Sequence, residues 1–200
     1  AKAANMPNDN IERAIQKGSG EQEGDNFAEL TYEGYGPGGA AIMINVLTDN
    51  RNRTAGEIRH LFSKHGGNMG ETGCVSWMFK QKGLLVLQRE NLNLSEDDLF
   101  LLALDKGAED IILDNEEEIE IYTEPSGFQK VKEGLEEEGL EFESSEIEMI
   151  PETSVEVAGF EQAKLLLKLL DCLEEHDDVQ DTFTNFDIPE EILAQIEPRI

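Results

Sequence analysis

The sequence predicts an α+β fold: a small N-terminal helical part, the remnant of a truncated bundle, followed by two ferredoxin-like α/β sandwich domains, one inserted in the other. Three observations lead there. From residue 27 onward the apolar period switches repeatedly between that of strands and that of helices. Residues 95–151 read as a complete α-β-β-α-β unit, and the helix and strand after it have no sheet of their own. With 38% hydrophobic residues and nine Phe in 200, the chain has enough apolar material for such cores.

The opening AKAANMPNDNIERAIQKGSG puts Pro7 in a first helical turn and spaces Ile11, Ala14 and Ile15 at i, i+3, i+4, with Gly18 to end the helix. So narrow a stripe forms no core alone, and residues 1–20 are expected to belong to a helical domain begun upstream. GSGEQEGDN at 18–26 has the composition of a linker. The middle α/β domain is then expected over 27–94 and 152–188. AELTYEGY and AAIMINVLT are strand-like and flank Gly36-Pro37-Gly38-Gly39, a reversal by composition. Helical spacing follows in TDNRNRTAGEIRHLFSKHGG at 48–67, where Ile58, Leu61, Phe62 and His65 recur and Gly66 stops the helix. CVSWMF and GLLVLQ read as further strands.

In the inserted acidic domain, 95–151, Ser95 caps a helix whose first turn is acidic, and EDIIL and EIEIYTE pair around Asp114-Asn115. A second helix carries Phe128, Val131 and Leu135 on one side. LEFESSEIEMIP closes the domain and Pro151 ends it. FEQAKLLLKLLDCLEEH and VQDTFTNFDI then return to complete the first sheet, leaving 189–200 as a C-terminal tail.

Charge divides unevenly along the chain, whose formal net is −28. Residues 1–89 hold ten Lys/Arg and ten Asp/Glu, whereas residues 90–200 hold six and 34. Such asymmetry either keeps the protein soluble or leaves one part to meet an anionic partner. Cys74 and Cys172 lie too far apart in sequence for a disulfide framework and have no zinc-ligand spacing. No apolar run approaches the roughly 20 residues of a membrane span, and no leader pattern opens the chain. A cytoplasmic protein without membrane association is expected.

Chemistry-bearing motifs are few. YEGYGPGG lacks the GK[ST] of a phosphate loop and leads into a strand, so a structural hairpin is expected, with Tyr32 or Tyr35 as the alternative, a surface for stacking on bases. Arg51 and Arg53 open a helix, where positive charge opposes the macrodipole without visible structural gain. On the helical wheel Arg53, Glu57, His60 and Lys64 form one stripe opposite Ile58, and Arg59 lies on the other flank. An anion-binding face and a plain solvated face with an Arg53/Glu57 pair both fit this pattern. HGGNMGETG supplies a helix stop, and its Asn68 is a further candidate for phosphate or sugar. There is no GxSxG, HExxH or Walker A; EEHDD at 174–178 reads as a solvated helix end, and both cysteines read as core. No catalytic residue, metal, cofactor or small-molecule substrate is expected.

Taken together, NMPNDNIERAIQKG, YEGYGPGG and LTDNRNRTAGEIRHLFSKHGGNMGETGCVSWMF resemble the YebC/PmpR family, in the family's order and over nearly the whole chain. The resemblance implies an N-terminal helical bundle, a middle α/β domain and an acidic α/β domain inserted into it. It also implies regulation of gene expression without enzymatic activity: bacterial members are described as probable DNA-binding transcriptional regulators. Mitochondrial relatives are translational activators, and some bacterial relatives resemble ribosome-associated factors. The leading expectation is a DNA-binding regulator that contacts nucleic acid through Arg51, Arg53, Arg59, Lys64, Tyr32, Tyr35 and Asn68. RNA or ribosome association is the alternative, and an enzyme or small-molecule binder using an inter-domain cleft is the third.

Overall fold

The computed structural model describes residues 27–196, so the expected helical part at 1–20 and the linker at 18–26 lie outside the described residues. Over that span the fold is mixed α/β, with five helices and mainly antiparallel strands. In chain order come β1 (Ala28–Tyr35), β2 (Ala41–Thr48), α1 (Arg51–Lys64), β3 (Asn68–Met69) and β4 (Phe79–Gln88). Next are α2 (Glu96–Lys106), β5 (Asp110–Ile112), β6 (Glu118–Thr123), α3 (Phe128–Glu136) and β7 (Ser144–Pro151). The chain finishes with β8 (Val155–Glu156), α4 (Phe160–Glu174), β9 (Val179–Thr184), β10 (Phe186–Asp187) and α5 (Glu190–Ile196). Two compact units emerge, one of Lys80–Ile150 and one built from the chain on either side of it, through Phe79 and from Pro151.

In the discontinuous unit the sheet order is β3-β1-β2-β9. The β1/β2 hairpin holds a register from Ala28↔Thr48 to Tyr35↔Ala41. Its turn places Gly38 and Gly39 at φ of 76° and 83°, backbone that a side chain would strain. Alternation along β2 sends Ile42, Ile44 and Val46 to one face, where they pack with Ile58 and Phe62 of α1 and with Leu166, Leu169 and Leu173 of α4. β9 adds antiparallel to β2, so residues far along the chain supply an edge of the sheet. Residues 190–196, expected in a tail, instead form α5, whose Ile192, Leu193 and Ile196 lie against this same core.

The contiguous unit has the order β5-β6-β4-β7, with a separate core of Leu85, Leu87, Ile119 and Ile121 from the sheet and Leu99, Ala103, Val131 and Leu135 from α2 and α3. Ser95 caps α2 by accepting the Asp98 N–H, and Gly107 ends it in the left-handed region at φ 108°. Here the structure differs from the sequence reading in two places. GLLVLQ, assigned above to the middle domain, lies in β4, which pairs with β6 from Gly83↔Thr123 to Gln88↔Glu118, because its apolar alternation matches that partner. CVSWMF, expected as a strand, is a loop with a single 3₁₀ turn over Ser76–Met78 and joins a strand only at Phe79, the first residue of β4, because the Val75 and Ser76 donors serve a side chain instead of a ladder.

Asn185 locks the returning chain to the hairpin. Only 2% exposed, its Oδ1 accepts the Ala41 N–H at 2.7 Å across 144 residues of sequence. Replacing it leaves a buried donor without a partner. Asn185→Ala is therefore expected to destabilise the discontinuous unit by about 1–3 kcal/mol, read as a lower urea midpoint for the transition of that unit with the other transition unmoved.

Candidate nucleic-acid interface

Helix α1 carries most of the predicted site. Asn50 caps it, accepting the Arg53 N–H at 3.1 Å, but its first turn contains no acid. The missing negative charge arrives from residue 178. Asp178, 9% exposed, accepts from the Thr54 hydroxyl and the Arg53 guanidinium, each at 2.7 Å, while its own carbonyl takes the Leu47 N–H at 2.8 Å. Burial alone would push this carboxyl up; hydrogen bonds from Arg53 and Thr54 and the Arg53 charge outweigh it and hold the pKa below the usual range. Arg53 further pairs with Asp49 at 2.9 Å and with Glu57 at 3.8 Å, the i,i+4 pair expected from sequence.

This arrangement corrects two expectations. The unfavourable placement of Arg53 does have a structural gain, because its charge neutralises a buried carboxylate, so it is not a free anion-binding group. Nor is EEHDD merely solvated. His176 accepts the Asp178 N–H on Nδ1 at 3.2 Å, which leaves Nε2 to donate to Glu57 at 3.0 Å. Donor atoms of Glu57, His176 and Asp178 lie within 4.8 Å of one another, and the cation among them is Arg53.

The other cations of α1 remain outward. Arg51, Arg59 and Lys64 are exposed and pair with no acid among the described residues. Tyr32 responds to both arginines: burial raises the pKa of its phenol, and the charges of Arg51 and Arg59 oppose the rise. Tyr32 itself is half-buried against the core and donates its hydroxyl to the Arg51 carbonyl at 3.3 Å, so it braces the helix instead of offering a stacking face. Lys64 stands at the far end of α1, about 20 Å along the axis from Arg51. The site residues therefore fall into two groups.

The second group surrounds the glycine-rich loop. After α1, Gly66 at φ 77° turns the chain, and a Cβ on Gly67 would lie 2.8 Å from the Tyr35 carbonyl. That close approach lets β3 pair with the end of β1, setting Asn68 opposite Tyr35. Beyond β3 the loop is held by Glu33, 3% exposed, whose carboxylate accepts the N–H groups of Gly73 at 2.7 Å and of Val75 and Ser76 at 2.8 Å. Burial pushes Glu33 up, and the three backbone bonds outweigh it to hold the pKa below normal. Sequence reading missed both Glu33 and Asp178. The signal for Glu33 was its place in a strand whose neighbours are small or aromatic, where an acid must find donors; Asp178 had no local signal.

Elsewhere the surface suits phosphate poorly. Lys80–Ile150 carries six Lys/Arg against 21 Asp/Glu, and Lys82, Arg89, Lys106 and Lys132 are each paired with glutamates. The acid is not confined to that insertion: residues 151–196 add twelve Asp/Glu against two lysines. An open cavity of about 420 Å³ on the first sheet has Glu29 and Asp181 in its otherwise uncharged lining, and no cation. Among the described residues, no helix is long and apolar enough to cross a membrane.

Both buried carboxylates have native pKa values below those of the unfolded chain, so the stability they confer is complete above the unfolded values near 4 and is lost as pH falls through the native values. Urea unfolding followed from pH 7 down to pH 3 should show this acid loss. Glu33→Gln and Asp178→Asn should each cost about 1–3 kcal/mol at pH 7 and flatten the acid limb; a limb unchanged in both variants would contradict the assignment.

Comparison with known proteins identifies the family. The family model described as "TACO1/YebC second and third domain" matches residues 27–186. Curated relatives include a probable transcriptional regulatory protein of Desulfitobacterium hafniense, 54% identical over 192 residues, covering 96% of this chain and 76% of the relative. A protein of the same description from Geobacillus thermodenitrificans is 56% identical over 187 residues, covering 94% and 75%. Among solved structures, the crystal structure of a conserved hypothetical protein, Aq1575, from Aquifex aeolicus superposes with a TM-score of 0.78 at 50% identity, covering 96% of this chain and 78% of that one. With the family model spanning both units and identity above one half, this chain belongs to the TACO1/YebC family.

Proposed function

We propose that this protein regulates gene expression by binding nucleic acid, DNA in the first instance, with no catalytic step of its own. The regulatory part follows from its family, whose curated members are described as probable transcriptional regulatory proteins. One observation supports the binding part: α1 keeps Arg51, Arg59 and Lys64 exposed and without an acidic partner among the described residues, on a protein with a net charge of −28, while its fourth cation is tied to Asp178. In so acidic a chain, three cations that pair with no acid among the described residues make one helix a position where a phosphate backbone gains more than it loses. The two ferredoxin-like sandwiches of the sequence reading would serve as its frame, each helix fixed on its sheet.

Phosphate contacts release counterions, so affinity falls with salt by about 0.9 in log–log slope per contact on a duplex. With three cations engaged, the slope measured by fluorescence anisotropy between 50 and 200 mM salt should be roughly −3. Arg51→Ala, Arg59→Ala and Lys64→Ala together should bring it close to zero without lowering the urea midpoint. Arg53→Ala should behave oppositely, destabilising the fold and leaving the slope nearly intact. A triple variant that binds as the parent does would overturn the proposal.

A further inference from the structure

Trp77, the sole tryptophan of the chain, is 67% exposed. It does not hang on a loose loop. The 3₁₀ turn that carries it, Ser76–Met78, follows the backbone fixed by three hydrogen bonds to buried Glu33. Its indole Nε1–H donates to the Cys74 carbonyl at 3.1 Å, and the Tyr35 hydroxyl, on a ring 36% exposed, donates to that same oxygen at 3.0 Å. The polar ends of two exposed aromatic rings thus converge on one acceptor.

We propose that Trp77 and Tyr35 form a stacking platform for an unpaired nucleobase of a single strand. The proposal rests on the nucleic-acid reading above and names the part of the ligand that the α1 cations do not touch. With their only donors spent on Cys74, neither ring can donate to a base edge; what they offer is the π face, which any base can use. A protein partner fits less well. Apolar docking surfaces are contiguous over several hundred Å², whereas the exposed residues of this loop besides Trp77 are Gly66, Asn68, Glu71, Thr72 and Gly73. Duplex bases are excluded because their faces are already covered. The chain itself links the two groups: α1 ends at Lys64, and four residues later Asn68 pairs with Tyr35 at the end of β1.

The fluorescence of Trp77 reports on the ring directly. The full chain is titrated with unlabelled 15-nucleotide oligo-dT and oligo-U for tryptophan emission, and with labelled copies and a blunt duplex for anisotropy, at 50 and 200 mM salt. Emission is expected to quench along the binding curve of a single strand. Trp77→Ala should weaken single-strand binding about 5- to 100-fold, Trp77→Phe should recover most of it, and the duplex should be unaffected. Because stacking releases no phosphate counterion, Trp77→Ala should leave the salt slope unchanged, unlike the α1 variants. Preference for oligo-dT or oligo-U identifies the source of the strand, and either supports the platform. Single strands that bind with unaltered emission and no effect of Trp77→Ala overturn it while leaving the cation face standing. A loss of equal size on the duplex also overturns it. Failure of every strand to bind at 50 mM salt overturns the platform and the nucleic-acid reading together.

Discussion

The burial of Asp178 beside the first turn of α1 is the constraint on which the cationic face depends. A helix N-terminus attracts negative charge, yet α1 begins Arg-Asn-Arg, with no acid in its first turn. Asp178 supplies that charge from 125 residues away and in doing so occupies Arg53 and Thr54. Its carbonyl meanwhile bonds Leu47 of β2, so one residue joins the returning chain, the central strand and the helix. The rotation of α1 on the sheet follows from this anchor and from Ile58 and Phe62 below it. Once that rotation is set, Arg51, Arg59 and Lys64 have no direction left but outward.

Glu33 applies the same physics to the loop. A carboxylate 3% exposed is costly unless its oxygens are matched by donors, and here three backbone N–H groups match them. The consequence is a glycine-rich segment that is specified without being a strand or a helix, and that presents Trp77. The α1 cations and the Trp77 loop are thus each backed by a buried acid. The same acids that make the chain look uniformly anionic in composition differ sharply in role: most are solvated, and these two hold the frame.

Much of this was legible in the residues. The spacing of Ile58, Leu61, Phe62 and His65 located the buried side of α1, Gly66 its stop, Ser95 the cap of α2, and the homeless helix and strand after Pro151 their return to the first sheet. These are local rules, readable within a turn or a strand. The failures were non-local. Arg53 looked like a free cation because its partner lies in EEHDD, and CVSWMF looked like a strand because alternation cannot show that its donors go to Glu33. Tyr32 and Tyr35 were indistinguishable in YEGYGPGG, although opposite pleats send one toward the core and the other toward the loop. GLLVLQ carries a clear strand period but no address, and pairing with β6 assigned it to a different sheet from the one its position suggested.

The net charge of −28 does not by itself oppose a phosphate backbone at α1. At physiological ionic strength the Debye length is about 8 Å, so a phosphate approaching Arg59 responds to the charges immediately around it and only weakly to the remainder of the chain. Of the acids nearest α1, Asp178, Asp49 and Glu57 are all engaged by Arg53, and Glu57 also by His176, which removes them as local competitors for the three outward cations. The Arg53 network therefore has a second effect beyond holding the helix: it ties these carboxylates to Arg53 and not to Arg51, Arg59 or Lys64.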